Sequence, residues 1–261
     1  MDNIISLAAT EIHLWLAFYD EINDASLHSA YRELLNAAEK AQEPRFYFAR
    51  DRQRYLITRA LVRTVLSRYV SIRPQEWIFS TNAYGRPEVV NAQARAEWLS
   101  FNISHTHSLI VLGVTKRRAL GVDVENVSAR EAAIEVADRY FAPQEVAALS
   151  AAPRDQQQYR FFEYWTFKEA YIKARGMGLA LPLDKFSFHY PDHNEVEIAI
   201  QPELEDDSAR WQFWQFRPMP EYLTAICAER ARGESLKLVV RRTIPMRSEK
   251  HLTFELLRAS A

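Results

Sequence analysis

The sequence predicts an α+β protein built from two similar units, and three observations carry that prediction. The order strand, long helix, strands occurs twice along the 261 residues, in units of about 115 residues that share order and not identity. The hydrophobic share is 48% and the aromatic share 12%, which is enough for a sizeable buried core. No Gly/Ser-rich linker divides the chain near Arg117-Arg118, so the units should pack tightly, with a pocket expected where they meet.

Residues 11–19 alternate loosely between polar and apolar and read as the opening strand. Asp24 to Ala41 turns helical, with a stop at Pro44, and Arg50 to Val70 places Tyr55, Leu56, Ala60, Val62, Leu66 and Tyr69 at helical spacing. Arg50, Arg54, Arg59 and Arg63 recur along that helix and by themselves read as a solvated basic stripe. Strands are expected at Trp77–Thr81, after Gly85-Arg86-Pro87, at Phe101–Ser104 and at Leu109–Thr115. A strand over 119–125 opens the second unit, followed by a helical linker (129–151) and a long amphipathic helix (155–175). Further strands fall at Phe186–Tyr190, Glu195–Ile200, Trp211–Arg217 and Tyr222–Glu229. The stretch from Arg230 on is basic (Arg230, Arg232, Lys237, Arg241, Arg242, Arg247) and reads as an extra strand and a short terminal helix with a solvated surface. The expected divisions are 1–118, 119–233 and an extension over 234–261.

Charge and cysteine usage exclude several classes. The 33 basic and 34 acidic side chains nearly cancel, so no global field draws in nucleic acid or a membrane, and any anion site must be a local cluster. The single cysteine, Cys227, excludes an intramolecular disulfide framework and reads as a small strand residue in a reducing compartment. Met1-Asp2-Asn3-Ile4-Ile5 lacks a secretory start, and no apolar run approaches the ~20 residues needed to span a bilayer. A soluble, cytoplasmic protein is expected. Gly176-Met177-Gly178 is too short for a phosphate-cradling loop and reads as a helix stop. Neither a zinc pattern nor a G-x-S-x-G elbow is present.

The chemistry gathers in two places. In Gly121-Val122-Asp123-Val124-Glu125 the two carboxylates leave one face of a strand while the valines point the other way, into the core. On the long helix, Glu169 has Trp165 and Lys173 four residues to either side. Hard oxygen ligands of this kind suit Mg²⁺ with a phosphorylated substrate, though Asp-x-Glu in a strand and Glu-Lys on a helix are each common surface patterns. Upstream, Ser104 and His105 end a run of apolar residues.

Taken in order, Phe101-Asn102-Ile103-Ser104-His105, then Gly121-Val122-Asp123-Val124-Glu125, then Trp165-x-x-Lys168-Glu169-Ala170-x-x-Lys173 resemble the three signatures of the Sfp-type 4′-phosphopantetheinyl transferases. The likeness runs from about Arg45-Phe46-Tyr47 to Leu181-Pro182-Leu183-Asp184, with Gly85-Arg86-Pro87 resembling a family Gly-Lys-Pro element. It implies a two-lobed monomer whose lobes form a pseudo-dimer, each a small, mostly antiparallel sheet packed on a long helix. Coenzyme A would be the substrate, and apo acyl, peptidyl or aryl carrier proteins the partners. The phosphopantetheine arm would pass to a carrier serine, releasing adenosine 3′,5′-bisphosphate. Asp123, Glu125 and Glu169 would hold Mg²⁺, with Mn²⁺ an acceptable substitute. Glu169, Lys173 and Asp123 would be the catalytic set, with Glu169 or a metal-bound water as base. Arg54, Arg86, Ser104, His105, Lys168 and Lys173 would contact coenzyme A, although Lys168 points about 100° away from Glu169 on a helix.

Two departures stand out. Where some relatives carry a lysine pair that clamps the 3′-phosphate, this chain has Glu39-Lys40-Ala41-Gln42, leaving Lys40 and Arg45 as substitutes. After His105 a small Ser-Gly is replaced by Thr106-His107. Two competing readings use the same residues: a different Mg²⁺-dependent enzyme that cleaves pyrophosphates, and a non-catalytic module binding coenzyme A and carrier protein.

Overall fold

The computed structural model describes residues 4–91, 96–129, 134–231, 233 and 235–261. Arg232 and the part of the expected linker over 130–133 lie outside the described residues. The first half runs β1 (Glu11–Phe18), α1 (Ala25–Leu34), α2 (Ala37–Gln42), α3 (Ala49–Leu66), β2 (Phe79–Thr81), β3 (Pro87–Val89), β4 (Leu99–His105) and β5 (Leu109–Lys116). The second runs β6 (Leu120–Asn126), α4 (Ala137–Tyr140), α5 (Pro143–Ala151), α6 (Arg154–Arg175), β7 (Phe186–His189), β8 (Glu197–Ile200), β9 (Trp211–Arg217) and β10 (Tyr222–Glu229). β11 (Lys237–Ile244), β12 (Ser248–His251) and β13 (Glu255–Ala259) follow.

Local chemistry sets the helix bounds. Asp24 caps α1 by accepting from the backbone N–H groups of Ser26 and Leu27. The single helix expected over 24–41 is two, because Asn36 and Glu39 form a reciprocal capping box that starts α2 afresh. α6 ends on Gly176 at φ 69°, a left-handed position that glycine tolerates.

The two large sheets have a similar strand order. One sheet has the order β12-β11-β1-β5-β4 and the other β13-β9-β10-β6. Within them β1-β5-β4 matches β6-β10-β9, and each of these pairings is antiparallel. The long helices α3 and α6 hold equivalent places after the first strand of each half.

The basic stretch beyond Arg230 departs from expectation. Among the described residues it forms no terminal helix; β11 pairs in parallel with β1 in the first sheet, and β13 pairs with β9 in the second. Backbone groups at an open sheet edge override the weak local preference of so short a segment. Nor is its charge simply solvated: Arg241 lies over the Trp15 ring and Arg242 over Phe18.

Alternation explains the layers. Leu14, Leu16, Val111, Val122, Val124 and Ile226 fill a core between the two sheets. Trp15, Ala17, Ile110 and Leu112 face α3, while Leu223, Ala225 and Cys227 face α6. The result is a helix–sheet–sheet–helix stack. Gly121 lets α6 lie directly on β6: a Cβ there would sit 1.9 Å from the Ala170 carbonyl oxygen. That contact fixes what the rest of the helix face can reach.

Candidate active site

β4 and β6 are edge strands of different sheets, and side chains join them. Asn102 Oδ1 accepts from Val122 N at 2.9 Å, and Thr106 Oγ1 accepts from Asn126 N at 3.0 Å. Between these ties stand Ser104 and Asp123. Ser104 Oγ donates to Asp123 Oδ1 at 3.0 Å, and Lys173 Nζ reaches the same oxygen at 2.7 Å and Ser104 Oγ at 2.9 Å. The other carboxylate oxygen, Asp123 Oδ2, is buried with no hydrogen-bond partner. A carboxylate held on one oxygen and left bare on the other is prepared for a further cationic partner.

Glu169 and Glu125 border this carboxylate. Burial, and then the negative charge of Asp123, push the Glu169 carboxyl up to about 7, against the opposing pull of Lys173. Thr106 Oγ1 lies 3.4 Å from Glu125 Oε2, so the departure from the family Ser-Gly places a hydroxyl beside one of the acids. Asp123, Glu169 and Lys173 are thus brought together by β6 and α6, with Glu125 two residues further along β6.

Beside them opens a cleft of about 760 Å³, lined by first-half residues that include Arg54, Tyr55, Arg59, Phe101 and His105. Arg54 is steadied by Asp51 at 3.2 Å. His105 ends β4 with its ring still reaching solvent. Shielding by the cleft wall, and then the cations of Arg54 and Lys173, pull its imidazole down to about 4, so it is neutral at pH 7. A phosphate brought among these groups supplies the missing negative charge and favours protonating the ring. Arg59 was submerged in the basic stripe of the sequence. Its signal was the i, i+4 spacing from Tyr55, whose ring lies 5.1 Å from its guanidinium.

Other expected residues fall elsewhere. Lys168 is fully buried: Nζ donates to the carbonyls of Leu183 and Phe186, both at 2.8 Å, and pairs with Glu145 at 2.7 Å. Those partners leave it no path to coenzyme A, which corrects its expected role. Ser104 is buried too and braces Asp123 and Lys173 from below. The Arg86 guanidinium donates to the carbonyls of Lys173 and Ala174, each at 3.4 Å. Lys40 pairs loosely with Glu33 at 3.8 Å and Arg45 with Gln42 at 3.3 Å. From that stretch it is Glu39 that lines the cleft, gripped by Arg63 at 2.7 Å. Arg63, expected in a solvated stripe, is wholly buried.

Oxygen donors and a lysine next to a cleft faced by arginine and histidine are the equipment of phosphoryl transfer. Comparison with known proteins narrows the class. The family model "4′-phosphopantetheinyl transferase superfamily" matches residues 119–227, and "4′-phosphopantetheinyl transferase, N-terminal" matches residues 24–117. The 4′-phosphopantetheinyl transferase HetI of Nostoc sp. is 32% identical over 198 residues, covering 76% of this chain and 78% of its own. The 4′-phosphopantetheinyl transferase Sfp of Bacillus subtilis is 33% identical over 184 residues, covering 70% and 77%. A second B. subtilis 4′-phosphopantetheinyl transferase is 32% identical over 217 residues, covering 82% and 92%. The chain belongs to the Sfp-type 4′-phosphopantetheinyl transferase family.

Proposed function

We propose that this enzyme moves the 4′-phosphopantetheine arm of coenzyme A onto a serine hydroxyl of an apo carrier protein, using the Asp123–Glu125–Glu169–Lys173 cluster as its catalytic centre. The observation that carries the assignment is Asp123, whose Oδ1 is held by Lys173 and Ser104 while Oδ2 is buried and bare. That oxygen, with Glu125 and Glu169, would hold a Mg²⁺ ion, or Mn²⁺ in its place. Among the described residues no group of three such side chains could hold a metal ion by itself, so water and substrate phosphate would have to complete the shell, as is usual for Mg²⁺. When bound, the ion neutralises pyrophosphate charge and makes the phosphorus more electrophilic.

The chain's own groups do the rest. Arg54 and Arg59 on the cleft wall bind coenzyme A phosphates as charge-assisted donors, and His105 stands at the junction of cleft and acids. Glu169, with a carboxyl near 7, takes the proton of the carrier serine. The serine oxygen then forms a bond to the β-phosphorus as the bond to the adenosine 3′,5′-bisphosphate oxygen breaks, and the leaving group keeps the electron pair. Lys173 stabilises charge that develops on the phosphate oxygens. No helix among the described residues is long and apolar enough to cross a membrane. The protein acts as a monomer in the cytoplasm, a reading supported by its free buried thiol, Cys227.

Incubation with coenzyme A, Mg²⁺ and apo carrier proteins from fatty-acid, polyketide and peptide synthesis tests the assignment. Intact-mass measurement should show one phosphopantetheinyl group added to a carrier. Release of free phosphopantetheine without carrier modification would instead favour a hydrolase, and coenzyme A binding without turnover a binding module.

A further inference from the structure

The turn between β2 and β3 reaches from the first half onto α6 of the second. Asn82 organises it: its Oδ1 accepts from the backbone N–H groups of Tyr84 at 2.9 Å and Arg86 at 3.0 Å. Gly85, at φ 84°, completes the turn. From this fixed base Asn82 Nδ2 donates to the Gly176 carbonyl at 3.0 Å. Arg86 Nη1 donates to the carbonyls of Lys173 and Ala174. Carbonyls in a last helical turn are short of partners inside the helix (Lys173 O accepts only from the capping Gly176 N, at 3.2 Å) and carry the negative end of its dipole, so a guanidinium is well matched to them. The turn packs against the helix end in ordinary contact: a Cβ at Gly176 would lie 3.4 Å from Arg86 Nη1 and 3.5 Å from Asn82 Nδ2.

The other side of the same turn faces the cleft, which Gly85 and Pro87 help to line. One turn therefore touches both the nucleotide cleft and the helix end that carries Lys173. We propose that Asn82 and Arg86 are positioning residues for the transfer: they latch the β2–β3 turn onto the last turn of α6 and so set Lys173 in register with the cleft. This assigns Arg86 a task different from holding phosphate, because its Nη1 is directed at helix carbonyls and burial lowers the guanidinium's pKa. The inference rests on the transferase reading of the site.

Arg86→Ala and Asn82→Asp separate the possibilities. The aspartate keeps the acceptor that builds the turn and loses the donor that crosses to Gly176. Both variants should lower kcat for carrier modification about tenfold or more while changing KM for coenzyme A less than about threefold, as expected when a catalytic group is misplaced. Arg86→Lys, which can still donate to the carbonyls, should recover much of the loss. Hydrogen exchange at the amides of residues 174–176 should quicken in both latch variants, and this readout needs no turnover. A large rise in KM with kcat unchanged would overturn the proposal in favour of phosphate binding. Unaltered exchange in both variants would overturn it as well. If the wild-type protein modifies no carrier, the transferase reading fails, while exchange still reports the latch.

Discussion

Lys168 and Glu145 meet at 2.7 Å with both side chains wholly buried. The glutamate also accepts from the backbone N–H groups of Ala142 and Phe188, and the ammonium lies 4.4 Å from the centre of the Phe186 ring. One ion pair thus fastens α5, α6 and β7 together. Burial lowers the Lys168 pKa and Glu145 opposes the shift, so the pair is stable only as a pair. Lys168→Ala leaves an uncompensated buried carboxylate and should cost about 3–5 kcal/mol of stability. In urea denaturation the midpoint should fall, while KM for coenzyme A holds at permissive temperature. A raised KM with normal stability would return Lys168 to the substrate site.

Asp123→Asn keeps the shape of the side chain and removes the charge. Loss of the carboxylate that Lys173 and Ser104 hold on Oδ1, and of the bare Oδ2, should reduce carrier modification by about a hundredfold or more. Thermal unfolding should change far less than in the Lys168 variant. Wild-type turnover in Asp123→Asn would remove this residue from the centre.

Arg54 is half-buried on the cleft wall beside Asp51. Arg54→Ala should raise KM for coenzyme A about tenfold, the scale of a charged hydrogen bond, with a smaller effect on kcat. Steady-state kinetics with coenzyme A as the varied substrate decides the matter, and an unaltered KM would exclude Arg54 from the substrate contact.

His13 sets a pH dependence of stability. It is buried, with Nδ1 bonded to Tyr69 Oη at 2.8 Å. Burial first, and Arg241 second, move it from the ordinary 6.5 down to about 4. The folded state therefore resists a proton that the unfolded chain accepts, so His13 supports folding fully above 6.5 and loses that contribution as pH falls towards about 4. The urea midpoint should drop between pH 7 and pH 5, roughly the window in which an unfolded imidazole charges. The drop should shrink in His13→Gln; an equal drop in both proteins would assign the effect to other groups.

The carboxylate pattern on β6 was legible because it obeys a strict period. Asp123 and Glu125 had to share a face once Val122 and Val124 were assigned to the core, and the structure buries both valines between the sheets. Glu169 and Lys173 were legible for the same reason on a helix. Partners chosen by tertiary packing were not. Nothing local in Trp165-x-x-Lys168 says that its lysine finds Glu145, and nothing in Gly85-Arg86-Pro87 says that its arginine ends on α6 carbonyls. β13 was obscured because a short stretch with a mixed pattern takes its conformation from the sheet edge it meets.

The pairing of β1 with β11 ties the order of synthesis to the order of folding. Glu11 stands opposite Lys237 in that parallel ladder, so β1 must wait for a strand that is synthesised well after it. Until then the first sheet carries an open apolar flank, and such a long-range closure is slow and exposed to misassociation. β13 imposes a similar delay on the second sheet through β9. Removing the segment beyond residue 236 would bare one edge on each half at once, turning a single truncation into two sticky surfaces on a newborn chain.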